Sequence, residues 1–580
     1  MAIIGQHHRR DLIRGAEVER HEYRLYFAAW RFSLLLTVLL GLGGVVIGSQ
    51  LLLTPSERLA QSALGKAAVL SALKGPRHPV RLRLGPGTVI YTVPANEIPV
   101  LFETEKRNLR MKYQYTGLTS AAVAGMMLTW MLCRWHRRGR REAADIYLRG
   151  TLVAKAGIIA GALRRSGRAS HVSFAGVPLE AGNETLNTIV SGATGSGKSV
   201  AITEALSAIR AANGKAIVFD GTGEFIERFY REGRDFILNP FDQRSPPWHP
   251  WMEADKPWDY ANLAESFIPV TNWKEPFWEE GAQAVLEDIL ARLQTRGEAN
   301  NRRLIDVVSL MTLEEIHDII CKLPGAVYME SEAARTALGI RMNVVRAAKA
   351  LRYLTDQRAN SALSIRRWVT NGTEDSWLFL SAREDMLSTM RPLLTAWIDT
   401  ALRAVMSLPP DRGRLVWNVI DELASLNKIH CLRQITTRGR KYGIANILGY
   451  QNEAQLQELY GTQDAQTIIS MCQNMLTLRV PDFQTAQRVA RNLGAQEVIE
   501  TNESTSFGAD PTRDGVGLSR RRAERQLVLP SQIQGLPDMH GYLRLAGRNE
   551  VMPVQFAYRD LPVIAPALIE RQVVPYALDD

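Results

Sequence analysis

The sequence predicts an α/β fold: a parallel sheet carrying a phosphate-binding loop, interrupted by an all-helical insertion and preceded by two membrane-spanning helices. Three observations predict it. The octapeptide GATGSGKS, Gly192–Ser199, stands between the apolar, β-rich LNTIVS (Leu186–Ser191) and the helical pattern VAITEALSAIRAA (Val200–Ala212). Between about 245 and 365 helical periods follow one another, and no strand signal returns until WLFLS, Trp377–Ser381. Two runs near the N-terminus, Phe32–Leu53 and Thr116–Cys133, carry no charge.

Composition bounds the rest. With 580 residues, 46% of them hydrophobic, the chain can bury a large core and has room for about three or four domains. A net charge of +10 points to an anionic partner, nucleic acid or lipid headgroups, although a basic membrane-flanking surface accounts for the same excess. Cys133, Cys321, Cys431 and Cys472 lie far apart, with no C-x-x-C and no paired histidines, which argues against a disulfide framework and a zinc site.

In chain order, residues 1–31 are polar and form an N-terminal segment. The first span is expected over 32–53, too long for a typical signal-peptide core, and the second over 116–135. Tyr113, Tyr115, Trp130 and Trp135 are placed like interfacial aromatics. RWHRRGRR (Arg134–Arg141) is the densest positive run and favours a cytoplasmic end there. Pro55–Tyr115 carries ten Lys or Arg of its own, so charge alone does not decide orientation; the need of a phosphate-binding loop for cytosolic ATP does. Both termini are therefore placed inside. Residues 54–115 form a small outer domain with Pro/Gly turns at Gly75-Pro76 and Gly85–Gly87 and β-like runs VRLRL and TVIYTV. Residues 136–170 are a cytoplasmic linker, read from 142 as an amphipathic helix and a basic turn. The α/β domain occupies 171–244 and 366–580, with the helical insertion at 245–365. Arg346, Lys349 and Arg352 fall near one helical face in that insertion, either a phosphate-contacting surface or a solvated one.

The loop residues have separate chemical reasons. Gly192, Gly195 and Gly197 are expected to take positive φ, so that N–H groups of the loop (Gly192, Ala193, Thr194, Gly195, Ser196, Gly197) can turn towards phosphate oxygens. Lys198 brings a point charge for the β- and γ-phosphates, and the Ser199 hydroxyl can ligate Mg²⁺. The partner half is RLVWNVIDELASL (Arg414–Leu426), a buried strand whose end delivers Asp421 for the Mg²⁺ shell and Glu422 to orient and deprotonate the attacking water. Gln451, after the strand ANILGYQ (Ala445–Gln451), is a candidate water-positioning or sensing amide; the other reading is a surface glutamine. Arg440 is the candidate arginine finger, acting across a subunit boundary in a ring. Arg438 competes for that role, and contact of either with DNA or solvent stays open.

GATGSGKS, FDGTGEF, ILNPFDQR, FWEEGAQ, IDELASL, GRKYG, GYQNEAQLQELYG and SFGADPTRDGV, in this order from about 171 to 565, resemble type IV secretion coupling proteins of the TraD/TrwB kind. The resemblance implies a RecA-like nucleotide domain with an inserted all-α domain, membrane-anchored and assembled as a homo-hexameric ring. It implies an inner-membrane ATPase that uses ATP and Mg²⁺ to move relaxase-bound, single-stranded DNA to the secretion channel during conjugation. Its partners would be sequence-independent DNA, the relaxase or relaxosome and type IV secretion channel components. By motif, Lys198, Ser199, Asp421, Glu422 and Gln451 keep the roles above, and Arg440 rests on GRKYG. The alternative is a recruitment receptor for protein substrates in which nucleotide acts as an assembly switch.

Overall fold

The computed structural model describes residues 2–83, 90–271, 275–354, 362–371, 375–506 and 515–573. The expected turn at Gly85–Gly87 and most of SFGADPTRDGV lie outside the described residues. The chain forms two compact units, Met1–Leu148 with Glu497–Ala523, and Arg149–Gln496 with Glu524–Asp580. Residues 497–523, expected with the second half of the α/β domain, thus group with the N-terminal unit.

In that unit two helices, α1 (Ala2–Leu52) and α4 (Glu103–Ala143), are long and apolar enough to cross a membrane, over Trp30–Leu52 and Glu103–Glu142. Small residues let their backbones approach: Gly41 faces Ala124, Gly44 faces Ser120 and Gly48 faces Thr116. A Cβ on Gly44 would lie 2.8 Å from the Ser120 hydroxyl. Between them, α2 (Pro55–Lys74) and α3 (Ile98–Leu101) pack with the antiparallel hairpin β1 (Pro79–Arg83) and β2 (Ile90–Pro94) around Ala60, Val80, Ile98 and Phe102. Thr54 and Glu57 form a capping box that starts α2. Lys112 of α4 donates to Glu57 at 2.6 Å and to the Leu52 carbonyl at 2.9 Å, tying the end of α1 and the start of α2 to α4. Where one amphipathic helix was expected from 142, the chain instead makes β3 (Ile146–Gly150) and β4 (Leu152–Val153) before α5 (Ala156–Arg165). Backbone pairing decides this: β3 joins a three-stranded sheet with the sequence-distant β14 (Ala495–Ser506) and β15 (Gly515–Gln526), partners that local periodicity cannot register.

The second unit is built on a ten-stranded sheet. After the hairpin β5 (Ala169–Phe174) and β6 (Val177–Glu180), its strands are β7 (Thr188–Ser191), β8 (Lys215–Asp220), β9 (Phe236–Leu238), β10 (Trp377–Ser381), β11 (Val416–Ile420), β12 (Ile444–Tyr450) and β13 (Asn474–Thr477). The sheet closes with β16 (His540–Arg544) and β17 (Glu550–Gln555). The order is β4-β17-β16-β13-β7-β12-β11-β8-β10-β9. From β13 to β9 every pair is parallel, so these strands end along one edge, where loops can converge. The sequence explains the burial: AIVF in β8 and VWNVI in β11 have few polar side chains, as strands covered on both faces require.

The polar exceptions form a ladder across the dry middle of the sheet. Asn418 of β11 donates to Asn446 of β12 at 2.8 Å, and Asn446 donates to Asn187, just before β7, at 2.7 Å. Asn187 passes the chain on to the Thr436 carbonyl, and Asn474 of β13 donates to the Asn187 carbonyl. Among the described residues, no strand lies between β9 and β10; the segment is helical, with its longest helix at Phe277–Thr295. Leu286, Ile289 and Leu290 on that helix and Ile340 and Val344 on Ala334–Ala348 belong to one core with Ile217, Leu378 and Leu448 of the sheet. Arg346 and Lys349 are exposed there and Arg352 is half-buried.

Candidate functional site

The site is assembled where β7, β12 and β11 end. Past Ser191 the chain turns into the loop 192–197 and enters α6 (Lys198–Ala211), whose first-turn N–H groups face the loop's interior. Gly195 (φ 76°) and Gly197 (φ 104°) take the positive φ expected of them. Gly192 does not; there the constraint is contact, since a Cβ would sit 2.6 Å from the Ser196 hydroxyl and 3.0 Å from Leu478 Cβ. Backbone bonds fix the loop at both ends. The Gly192 N–H donates to the Tyr450 carbonyl at 3.2 Å, the Ala193 N–H to the Arg479 carbonyl at 2.8 Å, and the Met539 N–H to the Ser196 carbonyl at 3.0 Å.

The two halves expected from the sequence meet. Lys198 Nζ lies 2.7 Å from Glu422 Oε2, with the lysine side chain 7% and the glutamate 18% exposed. Ser199 Oγ donates to Asp421 Oδ2 at 3.2 Å, and Thr194 Oγ1 donates to Gln451 Oε1 at 2.9 Å. Arg440 is not brought to this cluster. With Arg438 it is exposed at the start of β12, a full strand away from Gln451.

Each carboxylate beside the lysine has an oxygen left over. Asp421 Oδ1 and Glu422 Oε1 are buried without a hydrogen-bond partner among the described residues. Burial pushes the Asp421 carboxyl up and the neighbouring Glu422 charge adds to this, while Lys198 and the Ser199 hydroxyl oppose it. A cation placed against these oxygens would relieve both strains. The Asp421 carboxylate and the Ser199 hydroxyl are the donors that would hold a Mg²⁺ there, together with the substrate's own oxygens.

Asp220, the last residue of β8, has a structural task beside the site. Its carboxylate accepts the N–H groups of Gly223, Phe225 and Ile226, each at 2.8 Å, and so caps α7 (Glu224–Phe229). Burial raises this carboxyl to about 6 against those three bonds, with the Asp421 charge as a further upward push. The signal was present in FDGTGEF, an aspartate ahead of two glycines and a helix start. Arg479, Asp538 and Met539, which flank the loop's other side, were missed because no local motif marks them.

Residues 171–557 match the family model described as the type IV secretion-system coupling protein DNA-binding domain. The chain is 28% identical over 471 residues to the coupling protein TraD of Escherichia coli (strain K12), covering 80% of this chain and 66% of TraD, somewhat under two thirds of that relative's length. Among solved structures, the unbound monoclinic form of the bacterial conjugative coupling protein TrwBdeltaN70 superposes with a TM-score of 0.68 at 28% identity, over 73% of this chain and 97% of that one. The plasmid coupling protein TrwB in complex with ADP and Mg²⁺ gives 0.66 at 27% identity, over 73% and 98%.

Proposed function

The chain belongs to the type IV secretion coupling proteins, and from that premise we propose that it is a bacterial inner-membrane ATPase that drives DNA through the secretion channel during conjugation. It acts as a homo-hexameric ring on single-stranded DNA delivered by a relaxase or relaxosome. Both apolar helices span the membrane, and the termini and the nucleotide-binding unit face the cytoplasm. The TrwB structures with ADP and Mg²⁺ and with an ATP analogue support ATP as the fuel. The observation that carries the reading is the pairing of Lys198 and Ser199 with Glu422 and Asp421 at one sheet edge, with two carboxylate oxygens left unpartnered.

The chemistry follows from these side chains. The loop N–H groups and the start of α6 bind the phosphate chain. Lys198 must leave Glu422 to reach the terminal phosphate, and that exchange frees Glu422 to take a proton from the attacking water at Oε1 or Oε2. Ser199 and Asp421 would hold Mg²⁺, which when bound neutralises charge on the phosphate oxygens. Gln451, released from Thr194, orients the water. Arg440 completes the site of the next subunit, because its own loop lies at the other end of β12. The basic net charge makes DNA affinity sequence-independent and steep in salt.

The test is ATP turnover by the full chain in lipid nanodiscs, with and without single-stranded DNA. Stimulation by DNA is expected. Turnover that ignores DNA but responds to a substrate protein would replace this reading with that of a protein-recruiting receptor.

A further inference from the structure

Past the apolar stretch of α4, two basic segments remote in sequence come together. The uncharged run ends at Cys133, with Trp130 and Trp135 exposed around it and the Arg134 guanidinium 5.6 Å from the Trp130 ring centroid. Arg137, Arg138, Arg140 and Arg141 follow on the same helix, all exposed. From far along the chain, β15 brings Arg520, Arg521 and Arg522, exposed as well, to this end of α4. Arg520 Nη2 lies 2.8 Å from Glu142 Oε2, and the Thr501 N–H of β14 donates to Asp145 Oδ1 at 3.4 Å, so two bonds fasten the hairpin beside the helix end. Those bonds occupy the acids there. Arg137, Arg138, Arg140, Arg141, Arg521 and Arg522 have no carboxylate partner among the described residues.

We infer that this collar, the end of α4 together with the arginines of β15, docks on the phosphates of anionic phospholipid headgroups. The inference rests on the reading above that α4 spans the membrane. From Cys133 to Ala143, at about 1.5 Å per residue, the helix rises about 15 Å. The headgroup layer takes up about 6 Å of that rise. The remaining gap of about 9 Å is about one Debye length at about 0.1 M salt, and long arginine side chains shorten it. Lipid fits this surface better than nucleic acid does, for a covalent reason. A spanning helix keeps the arginines beside the phosphate plane at all times, at a local concentration that a free polyanion does not match. The tryptophans at the apolar boundary belong to the same kind of interface. Charge on β15 has a further effect, because residues 497–523 belong to the membrane unit while Gln496 and Glu524 belong to the other. Lipid contact at β15 therefore gives the nucleotide-binding unit a second tether besides the link at 148–149.

The experiment places the full chain in phosphatidylcholine vesicles that carry spin-labelled phosphatidylglycerol or spin-labelled phosphatidylcholine. The spectrum reads the share of each label held at the protein. Wild type is expected to prefer phosphatidylglycerol by about threefold or more, and the preference should shrink in about 1 M salt. Arg521→Gln combined with Arg522→Gln, which spares the Arg520 tie, should cut the preference by about 2- to 5-fold. Arg521→Lys combined with Arg522→Lys should retain it, since charge and not shape is read. ATP turnover without DNA, expected within about twofold of wild type, shows that each variant is folded. Equal holding of the two lipids by wild type would overturn the inference, as would an unchanged preference in the glutamine variant or an equal loss in the lysine variant. So would an equal loss in Arg296→Gln combined with Arg302→Gln, which removes two exposed arginines of the helical insertion. A glutamine variant that keeps its lipid preference but loses stimulation by single-stranded DNA would make β15 a nucleic-acid surface instead. If wild type holds neither lipid, the membrane-spanning reading itself falls.

Discussion

Among the described residues, two lysine–glutamate pairs have nearly equal length and are built for opposite ends. Lys112 and Glu57 meet at 2.6 Å, where the small domain joins the long helices, with side chains 30% and 6% exposed. Lys198 and Glu422 meet at 2.7 Å. Around the first pair the same groups have other partners: Lys112 also donates to the Leu52 carbonyl, and Glu57 accepts the Thr54 N–H at 2.8 Å. Around the second, Glu422 Oε1 and Asp421 Oδ1 have no partner among the described residues. An ion pair embedded in satisfied bonds resists separation; one beside orphaned oxygens is poised to accept a new partner. Distance alone does not tell a brace from a latch; the neighbouring lone pairs do.

The comparison breaks most visibly at Glu422. Glu422→Gln should lower ATP turnover by about 10²- to 10⁴-fold, the contribution of a positioned base. It should also bind ATP more tightly than wild type, because Lys198 loses its anionic competitor. Steady-state hydrolysis and a fluorescent-nucleotide titration read the two effects, and weakened ATP binding would show that Lys198 is not held in reserve. Lys198→Ala should cost about 10³-fold in turnover through the loss of charge at the phosphates, with ATP affinity falling as well. At the other pair, Lys112→Met should leave turnover per folded molecule within about twofold while lowering the melting temperature of the full chain in detergent, since it leaves Glu57 and the Leu52 carbonyl short of a donor. A collapse of turnover on the scale of Glu422→Gln would erase the distinction.

Acid sharpens the contrast further. The Lys112 bond and the Thr54 N–H hold the Glu57 carboxyl down to about 2, below its usual 4.5. A lowered folded pKa means that this stabilisation is complete above about 4.5 and is lost as pH falls towards 2. The melting-temperature gap between wild type and Glu57→Gln should therefore be constant above pH 5 and close below it; a gap that widens in acid would reverse the sign. The smallest expected effect is at Gly44→Ala, where a methyl group 2.8 Å from the Ser120 hydroxyl must be absorbed by a rotamer change. That should shift melting slightly and leave hydrolysis unaltered.

Much of this was legible in the sequence, and the limit follows a physical line. GATGSGKS and IDELASL announce themselves because each is a local strand-to-loop pattern, and the parallel sheet then brings Ser199 to Asp421 without further information. The helical stretch was readable for the same reason. Gly192 was assigned the wrong constraint, since its neighbours Ser196 and Leu478 become neighbours only in three dimensions. β3 was misread as helix because its partners lie some 350 residues away. The helix Leu387–Ser407 runs through Pro392, a residue that locally marks a helix start; burial of Leu387 and Met390 holds the turn ahead of it. Arg479 and Met539 sit in stretches with no periodicity or motif, and their closeness to the loop is a property of strand order alone.

The asparagine ladder through β11, β12 and the β7 junction carries one more implication. Carboxamides can trade bonds in a dry interior only when their strands are aligned to the residue, so a one-position slip would leave several of them stranded at once. A newly made chain that collapses with its hydrophobic strands shuffled would thus find no comfortable resting place. The ladder acts as a checksum on assembly, rejecting near-miss sheets whose greasy residues alone would have been content.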